Sequence, residues 1–312
     1  MNYTAFKGFF CGSFSVRFNW YLSLFVVIAA PASVQGSTPR KIEVQGHRGA
    51  RAVMPENTLA AFRYALELGV ETLELDTNVT KDGVVVVSHE QFITPELCVD
   101  SAGQKPAAPI AIRTLTLEQV KQYDCGSVPN PKFPRQKRIA GERIPTLREV
   151  FDLVKTSALP QAKRVQFNVE MKTVPALPGL DPGAKEFTRL LLKEIDAAGM
   201  ASRTVVQCFN HLYLVEVKRQ APKQRVSALL AANFMLNVVG AAKKAGFEII
   251  SPHLGWVTRE WVGELHAAGL QVIPWTANDS REWEYLLSAG VDGIISDDPE
   301  ALIAFLKTKG LR

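Results

Sequence analysis

Cysteine, clustered charge and long hydrophobic runs are all scarce in this 312-residue chain, and each shortage removes a class of protein. Four cysteines are too few for a disulfide-built scaffold. The 36 Lys and Arg face 31 Asp and Glu, a net charge of +5 with no basic run, which argues against a nucleic-acid partner. No glycine-rich phosphate loop follows the first β-rich run, which argues against an open dinucleotide-binding sheet. With 47% apolar and 21% charged residues, the chain has ample material for a folded core.

Acidic residues are absent from positions 1–32, where Lys7 and Arg17 precede an apolar stretch at 20–30. That stretch is about half of the roughly 20 residues a membrane-spanning helix needs. Ala30-Pro31-Ala32 supplies small residues at a peptidase-type spacing, and Val34-Gln35-Gly36 is a second cut site. The pattern predicts a cleaved signal peptide over 1–32, or ending at 36, and an exported protein, periplasmic or secreted; an uncleaved anchor is the alternative. Without those residues 34 basic side chains face 31 acidic ones, and the cysteines left are Cys98, Cys125 and Cys208. Cys98 and Cys125 lie in a loop-rich stretch and are expected to pair, while Cys208 sits in an apolar run that reads as a buried strand.

Eight β-rich runs occur at 42–47, 72–79, 165–171, 205–209, 226–230, 248–251, 271–275 and 293–296. Amphipathic segments lie between most of them, several ending at glycine, as at Gly69, Gly199 and Gly269. Eight strands alternating with helices predict an α/β fold, a (β/α)₈ TIM barrel forming one catalytic domain over 41–312. Residues 91–145 break the alternation with seven prolines and a single short helix signal at 117–123, opened by Thr116 and Gln119. This stretch reads as a small loop-rich insertion after the second strand, rising from the catalytic end. Thr146 and Glu149 then form a second capping box.

The polar residues on these runs carry the chemistry. Side chains alternate along a strand, so Glu74, Asp76 and Asn78 share one face of 72–79, and Asn168, Glu170 and Lys172 one face of 165–172. In a barrel that face points inward, where Glu74, Asp76 and Glu170 would repel one another unless a cation sat among them. An all-oxygen set suits a hard divalent ion, Ca²⁺ or Mg²⁺. Glu-x-Asp spacing alone also fits a solvent-facing strand. His47 and His89 each end a β-rich run beside the acidic strand, where barrel enzymes gather catalytic groups. Two histidines can act as base and acid across a phosphorus centre, with Arg48 and Lys172 as cations for phosphate. Trp275, ending the seventh run, reads equally as a wall for a substrate's carbons or as core. His211, His253 and His266 read as structural.

The ordered motifs His47-Arg48-Gly49, Pro55-Glu56-Asn57-Thr58, Glu74-Leu75-Asp76, Lys81-Asp82-Gly83 and His89 resemble the signature of the glycerophosphodiester phosphodiesterase family. The segments Val169-Glu170-Met171-Lys172, Trp275-Thr276 and Asp292-Gly293-Ile294-Ile295-Ser296-Asp297 extend the resemblance to about residue 299. The resemblance implies a TIM barrel that hydrolyses glycerophosphodiesters to glycerol 3-phosphate and an alcohol with one divalent cation. It implies His47 and His89 as the acid/base pair and Glu74, Asp76 and Glu170 as metal ligands. It implies Arg48 and Lys172 on the phosphate and Glu56 as a further substrate-binding residue, Glu56 and Asn57 falling in the motif that shapes the site. Glu90 departs from the family's usual Asp after the second histidine. The nucleophile is water or the glycerol 2-hydroxyl, and either histidine fits either role.

Two further readings stand beside this one. A barrel of the same superfamily could cleave lysophospholipids or phospholipids. Phe92, Phe133, Lys132, Arg135, Lys137 and Arg138 of the insertion would then meet an anionic membrane transiently. A barrel that only binds a phosphorylated ligand would have lost a histidine or a carboxylate, and every one is present.

Overall fold

The computed structural model describes residues 41–231 and 237–312. The expected signal segment over 1–32, with both cut sites, lies outside the described residues.

Eight parallel strands form the barrel: β1 (Glu43–Gly46), β2 (Thr72–Val79), β3 (Gln166–Met171), β4 (Thr204–Cys208), β5 (Arg225–Leu230), β6 (Ile249–Pro252), β7 (Gln271–Val272) and β8 (Gly293–Ser296). They pair in the order β7-β6-β5-β4-β3-β2-β1-β8. Backbone bonds from Asp292 N to Val272 O (2.9 Å) and from Ile295 N to Pro274 O (3.0 Å) join β8 to the β7 segment and complete the ring. Each strand is followed by a helix: α1 (Leu59–Leu68), α2 (Leu147–Lys155), α3 (Ala184–Ala197), α4 (His211–Gln220), α5 (Val238–Ala245), α6 (Arg259–Ala267), α7 (Ser280–Ala289) and α8 (Pro299–Thr308). Among the described residues no helix is long and apolar enough to cross a membrane.

Local chemistry sets these boundaries. Thr58 caps α1 by accepting from Ala61 N, and Gly69 ends it at φ 81°, where its amide reaches back to Ala65 O and Leu66 O. The capping boxes at Thr116 and Thr146 form as expected, the first opening a shorter helix (Leu117–Val120) than the sequence suggested.

The alternation along β2 and β3 sorts the side chains as expected. Leu73, Leu75, Phe167, Val169 and Met171 join the main apolar core. On the inner face Asn168 bridges Gln45 (2.8 Å) and Gln207 (3.0 Å), a polar floor under the catalytic end. Val205, Ile249, Ile273 and Ile295 pack together as a second inner cluster. On β5 and β6 the buried Ser227 and Ser251 hydroxyls hydrogen-bond to each other (2.8 Å).

After β2 the chain turns at Thr80–Gly83 and returns antiparallel as Val85–Val87, pairing Thr77 with Val87. The insertion then builds its own small core from Val86, Ile93, Cys98, Ile112, Val120 and Ile144. Cys98 and Cys125 form a disulfide within it. Its arm over residues 133–137 lies on the barrel rim: Lys137 N donates to Val53 O (2.8 Å), Gln136 Nε2 to Arg51 O (2.6 Å), and Arg135 pairs with Asp298. Phe133 lies under the Arg51 guanidinium, 4.8 Å from ring centre to Cζ. Cys208 is buried and donates to Met171 O, and burial pushes its thiol up to about 12, the behaviour of a core residue.

Candidate active site

The rim of β1 makes the tightest turn in the site. A Cβ on Gly46 would sit 2.1 Å from Gly49 O, so only glycine fits there. Arg48 adopts φ 50°, a left-handed conformation that is costly for a long side chain. The Glu74 carboxylate holds it, accepting from Arg48 N at 2.9 Å. Arg48 Nη1 donates to Glu56 Oε1 (2.7 Å), and Nε lies 3.4 Å from Asp76 Oδ2. One acid therefore fixes the backbone of the turn, and two others set where its guanidinium points.

Glu74, Asp76 and Glu170 each offer an oxygen within 4.8 Å of the others, all three buried. Their electrostatics are unbalanced. Burial and the neighbouring Asp76 push Glu74 well above the usual carboxylate range. Burial likewise pushes Asp76 up, but the fields of His89, Lys172 and Arg48 override it and leave Asp76 well below. Glu170 is raised by burial, against the pull of Lys172, whose Nζ lies 2.9 Å from Oε1. Asp76 Oδ1 is buried without a hydrogen-bond partner. An orphaned carboxylate oxygen among two more carboxylates is the donor set a hard divalent cation satisfies, so these residues fit one.

His47 follows β1 and sends Nδ1 to Asp297 Oδ1 at 2.5 Å, leaving Nε2 on the side of Glu74, 3.9 Å from Oε2. A carboxylate can only accept, so Nδ1 carries the proton and Nε2 a lone pair. Burial holds the imidazole down to about 4, although the Asp297 bond opposes it. Asp297 also accepts from Arg51 Nε (2.6 Å) and Nη2 (3.2 Å) and from Asn278 Nδ2 (2.8 Å). Burial would raise Asp297, but His47 and Arg51 hold it well below the ordinary range.

His89 does not sit on a barrel strand. The return arm beside β2 carries it, and Ser88 N bonding Asp76 O (3.0 Å) sets its height. Its Nδ1 meets Glu90 Oε1 at 2.8 Å, and that bond lowers Glu90. The glutamate in place of the family's usual aspartate therefore still reaches the adjacent imidazole.

His47, Arg48, Glu74, His89, Glu170, Lys172 and Trp275 line one cavity of about 130 Å³, and Asp76 lies beneath it. Glu56 does not line this space. It stands behind Arg48 and faces a second, smaller space under the insertion with Asn57, because its carboxylate is spent on the guanidinium. Asn57 donates to Asp76 Oδ2 (2.9 Å). The sequence reading missed four neighbours as site residues: Asp297, Arg51, Gln207, which donates to Glu74 Oε1 (2.8 Å), and Phe209. Asp297 ends the β8 motif, so its position at a strand's C-terminal end was the available signal. His266 pairs with Asp292 (2.8 Å), and His253 Nδ1 accepts from Gly255 N (3.2 Å), both structural.

The glycerophosphoryl diester phosphodiesterase family model matches residues 47–301, which takes in the whole site. The chain belongs to that family. A glycerophosphodiester phosphodiesterase of Caldanaerobacter subterraneus is 33% identical over 86% of this chain and all of its own. A Silicibacter pomeroyi protein, provisionally named a glycerophosphoryl diester phosphodiesterase, superposes with a TM-score of 0.81 at 31% identity, over 88% of this chain and 95% of its own. A human lysophospholipase D is 27% identical over 83% of this chain and 84% of its own. This family member is thus a phosphoric diester hydrolase on a TIM barrel, acting on glycerophosphodiesters, with an acidic cluster suited to a divalent metal.

Proposed function

We propose that the protein is an exported glycerophosphodiesterase in which His47 is the general base and His89 the general acid. The observation that carries the reading is the placement of His47, whose Nδ1 meets Asp297 Oδ1 (2.5 Å) while the ring lines the cavity. Glu74, Asp76 and Glu170 would hold one Ca²⁺ or Mg²⁺, which when bound offsets the charge that builds on the phosphoryl oxygens. Arg48 and Lys172 add two fixed positive charges on the same wall, each kept protonated by buried carboxylates. Lys172 Nζ also lies 3.6 Å from Asp76 Oδ1. His47 Nε2 takes the proton of the attacking hydroxyl, from water or the glycerol 2-position. His89, with 27% of its side chain exposed, gives a proton to the departing alcohol and regains one from solvent. Trp275 packs on the glycerol carbons, held by its Nε1 bond to Ser251 O (2.9 Å).

The Cys98–Cys125 bridge supports an oxidising compartment and, with the signal-like N-terminus, export to the periplasm or beyond. The test is release of glycerol 3-phosphate from glycerophosphocholine by the purified protein, with Ca²⁺, with Mg²⁺ and with chelator. Release that requires a cation and is lost in His47→Ala and His89→Ala supports the assignment. No release with either ion overturns it.

A further inference from the structure

Part of the insertion leaves its own small core and reaches across to the catalytic rim. The neck of this arm is stapled: the Cys98–Cys125 bridge lies beside Gly126, whose carbonyl accepts from Ile139 N (2.8 Å). Between neck and tip the chain is stiffened by Pro129, Pro131 and Pro134. Two tight turns add to this, Phe133 N donating to Asn130 O (3.0 Å) and Gln136 N to Phe133 O (2.9 Å).

Over 131–138 only Phe133 and Gln136 are turned in from solvent, and both are spent on Arg51. Phe133 lays its ring against the guanidinium, and Gln136 Nε2 holds the Arg51 carbonyl (2.6 Å). Arg51 is thus gripped at both ends, main chain and side-chain tip. Lys137 N and Arg135 tie the same arm to Val53 O, on the turn after β1, and to Asp298, just past β8. Of the insertion residues expected to meet a membrane, Phe133 therefore faces Arg51, and Phe92 faces the space beneath the insertion.

The guanidinium so held meets the partner of His47. Arg51 Nε donates to Asp297 Oδ1 (2.6 Å), the same oxygen that His47 Nδ1 meets at 2.5 Å, and Nη2 reaches Oδ2 (3.2 Å). The terminal torsion of a carboxylate is broad. A two-pronged fork sets its plane and so decides which oxygen faces the imidazole. An arginine stem is among the most costly side chains to order, and an aromatic face beneath the cation offsets that cost.

We propose that Phe133 and Gln136 are positioning residues for His47, acting through Arg51 and Asp297, so that the insertion holds the base in line. The proposal rests on the reading of His47 as general base. Neither residue lines the catalytic cavity, so their effect falls on turnover and not on substrate binding.

The test uses the purified protein with Phe133→Leu, which keeps apolar bulk but removes the ring face, Phe133→Tyr, which keeps the ring, and Gln136→Leu. Release of glycerol 3-phosphate from glycerophosphocholine gives kcat and KM, and a melting curve confirms folding. Phe133→Leu is expected to lower kcat roughly 3- to 10-fold, with KM within about twofold. Gln136→Leu should lower kcat by about the same factor, and Phe133→Tyr should restore it. In chelator and without substrate, the far-downfield proton resonance of His47 Nδ1–H, assigned by its loss in His47→Gln, reads the bond to Asp297 directly. It should shift or broaden in Phe133→Leu and keep its wild-type position in Phe133→Tyr. Because that resonance does not depend on turnover, a changed resonance with kcat unchanged supports the arm's hold on His47 and removes instead the reading of His47 as base. A resonance unchanged in Phe133→Leu overturns the proposal, as does a kcat loss that Phe133→Tyr shares in full or a loss that falls on KM.

Discussion

Replacing Asp297 with Asn tests the orientation of His47 most directly. The carboxylate receives four donors: His47 Nδ1 and Arg51 Nε on Oδ1, Arg51 Nη2 and Asn278 Nδ2 on Oδ2. An amide has one acceptor, so whichever way it is turned its NH₂ faces two of those donors. Turned toward His47, it can only donate, which moves the imidazole proton to Nε2 and removes the lone pair from the cavity side. Turned away, it keeps His47 Nδ1 and Arg51 Nε but abandons Arg51 Nη2 and Asn278 Nδ2. Losing one hydrogen bond to a charged group costs roughly 1.5–3 kcal/mol, or about 10- to 150-fold in kcat. Asp297 does not line the cavity, so KM should stay within about threefold. The assay is steady-state glycerol 3-phosphate release, with a melting curve to confirm folding. A folded variant with kcat within about twofold of wild type would refute the argument.

Three other outcomes are expected. His47 is held near 4 rather than 6.5, so the stability it contributes is full above pH 6.5 and lost as pH falls toward 4, on the order of 3 kcal/mol. Denaturant melts of wild type and His47→Gln in chelator should converge as the pH drops through that window, and parallel curves would contradict it. The Cys98–Cys125 bridge closes a separation of 27 residues, worth about 3.5 kcal/mol of loop entropy; Cys98→Ser should speed proteolytic cutting within 91–145, and an unchanged rate would show that the insertion's own core suffices. Gly46→Ala drives a Cβ to 2.1 Å from Gly49 O and must shift the turn bearing His47 and Arg48. Activity should fall about 100-fold, while the rise in melting temperature produced by Ca²⁺ or Mg²⁺ persists.

Much of the fold was legible because both of its periods are written locally. Leu73, Glu74, Leu75 and Asp76 alternate core with site, and Thr58 and Gly69 bracket α1. The acidic triad followed from that parity alone, since neighbouring parallel strands in register set Asp76 opposite Glu170. What stayed hidden depends on ring closure or on tertiary choices. Asp297 reaches His47 only because β8 pairs with β1. Glu56 looked like a substrate contact until Arg48 was seen to occupy it. The outward Leu212 and Val215 look in sequence like any core residues of an apolar helix, and only their exposure separates them.

The bond between His47 and Asp297 spans 250 positions of the chain and joins the barrel's first strand to its last. The acidic triad needs only β2 and β3, so a nascent chain acquires that cluster early in synthesis and an oriented His47 at the very end. If His47 is the base, as proposed, hydrolysis reports closure of the ring. Any chain in which β8 has not docked would hold the charged cluster with His47 unoriented.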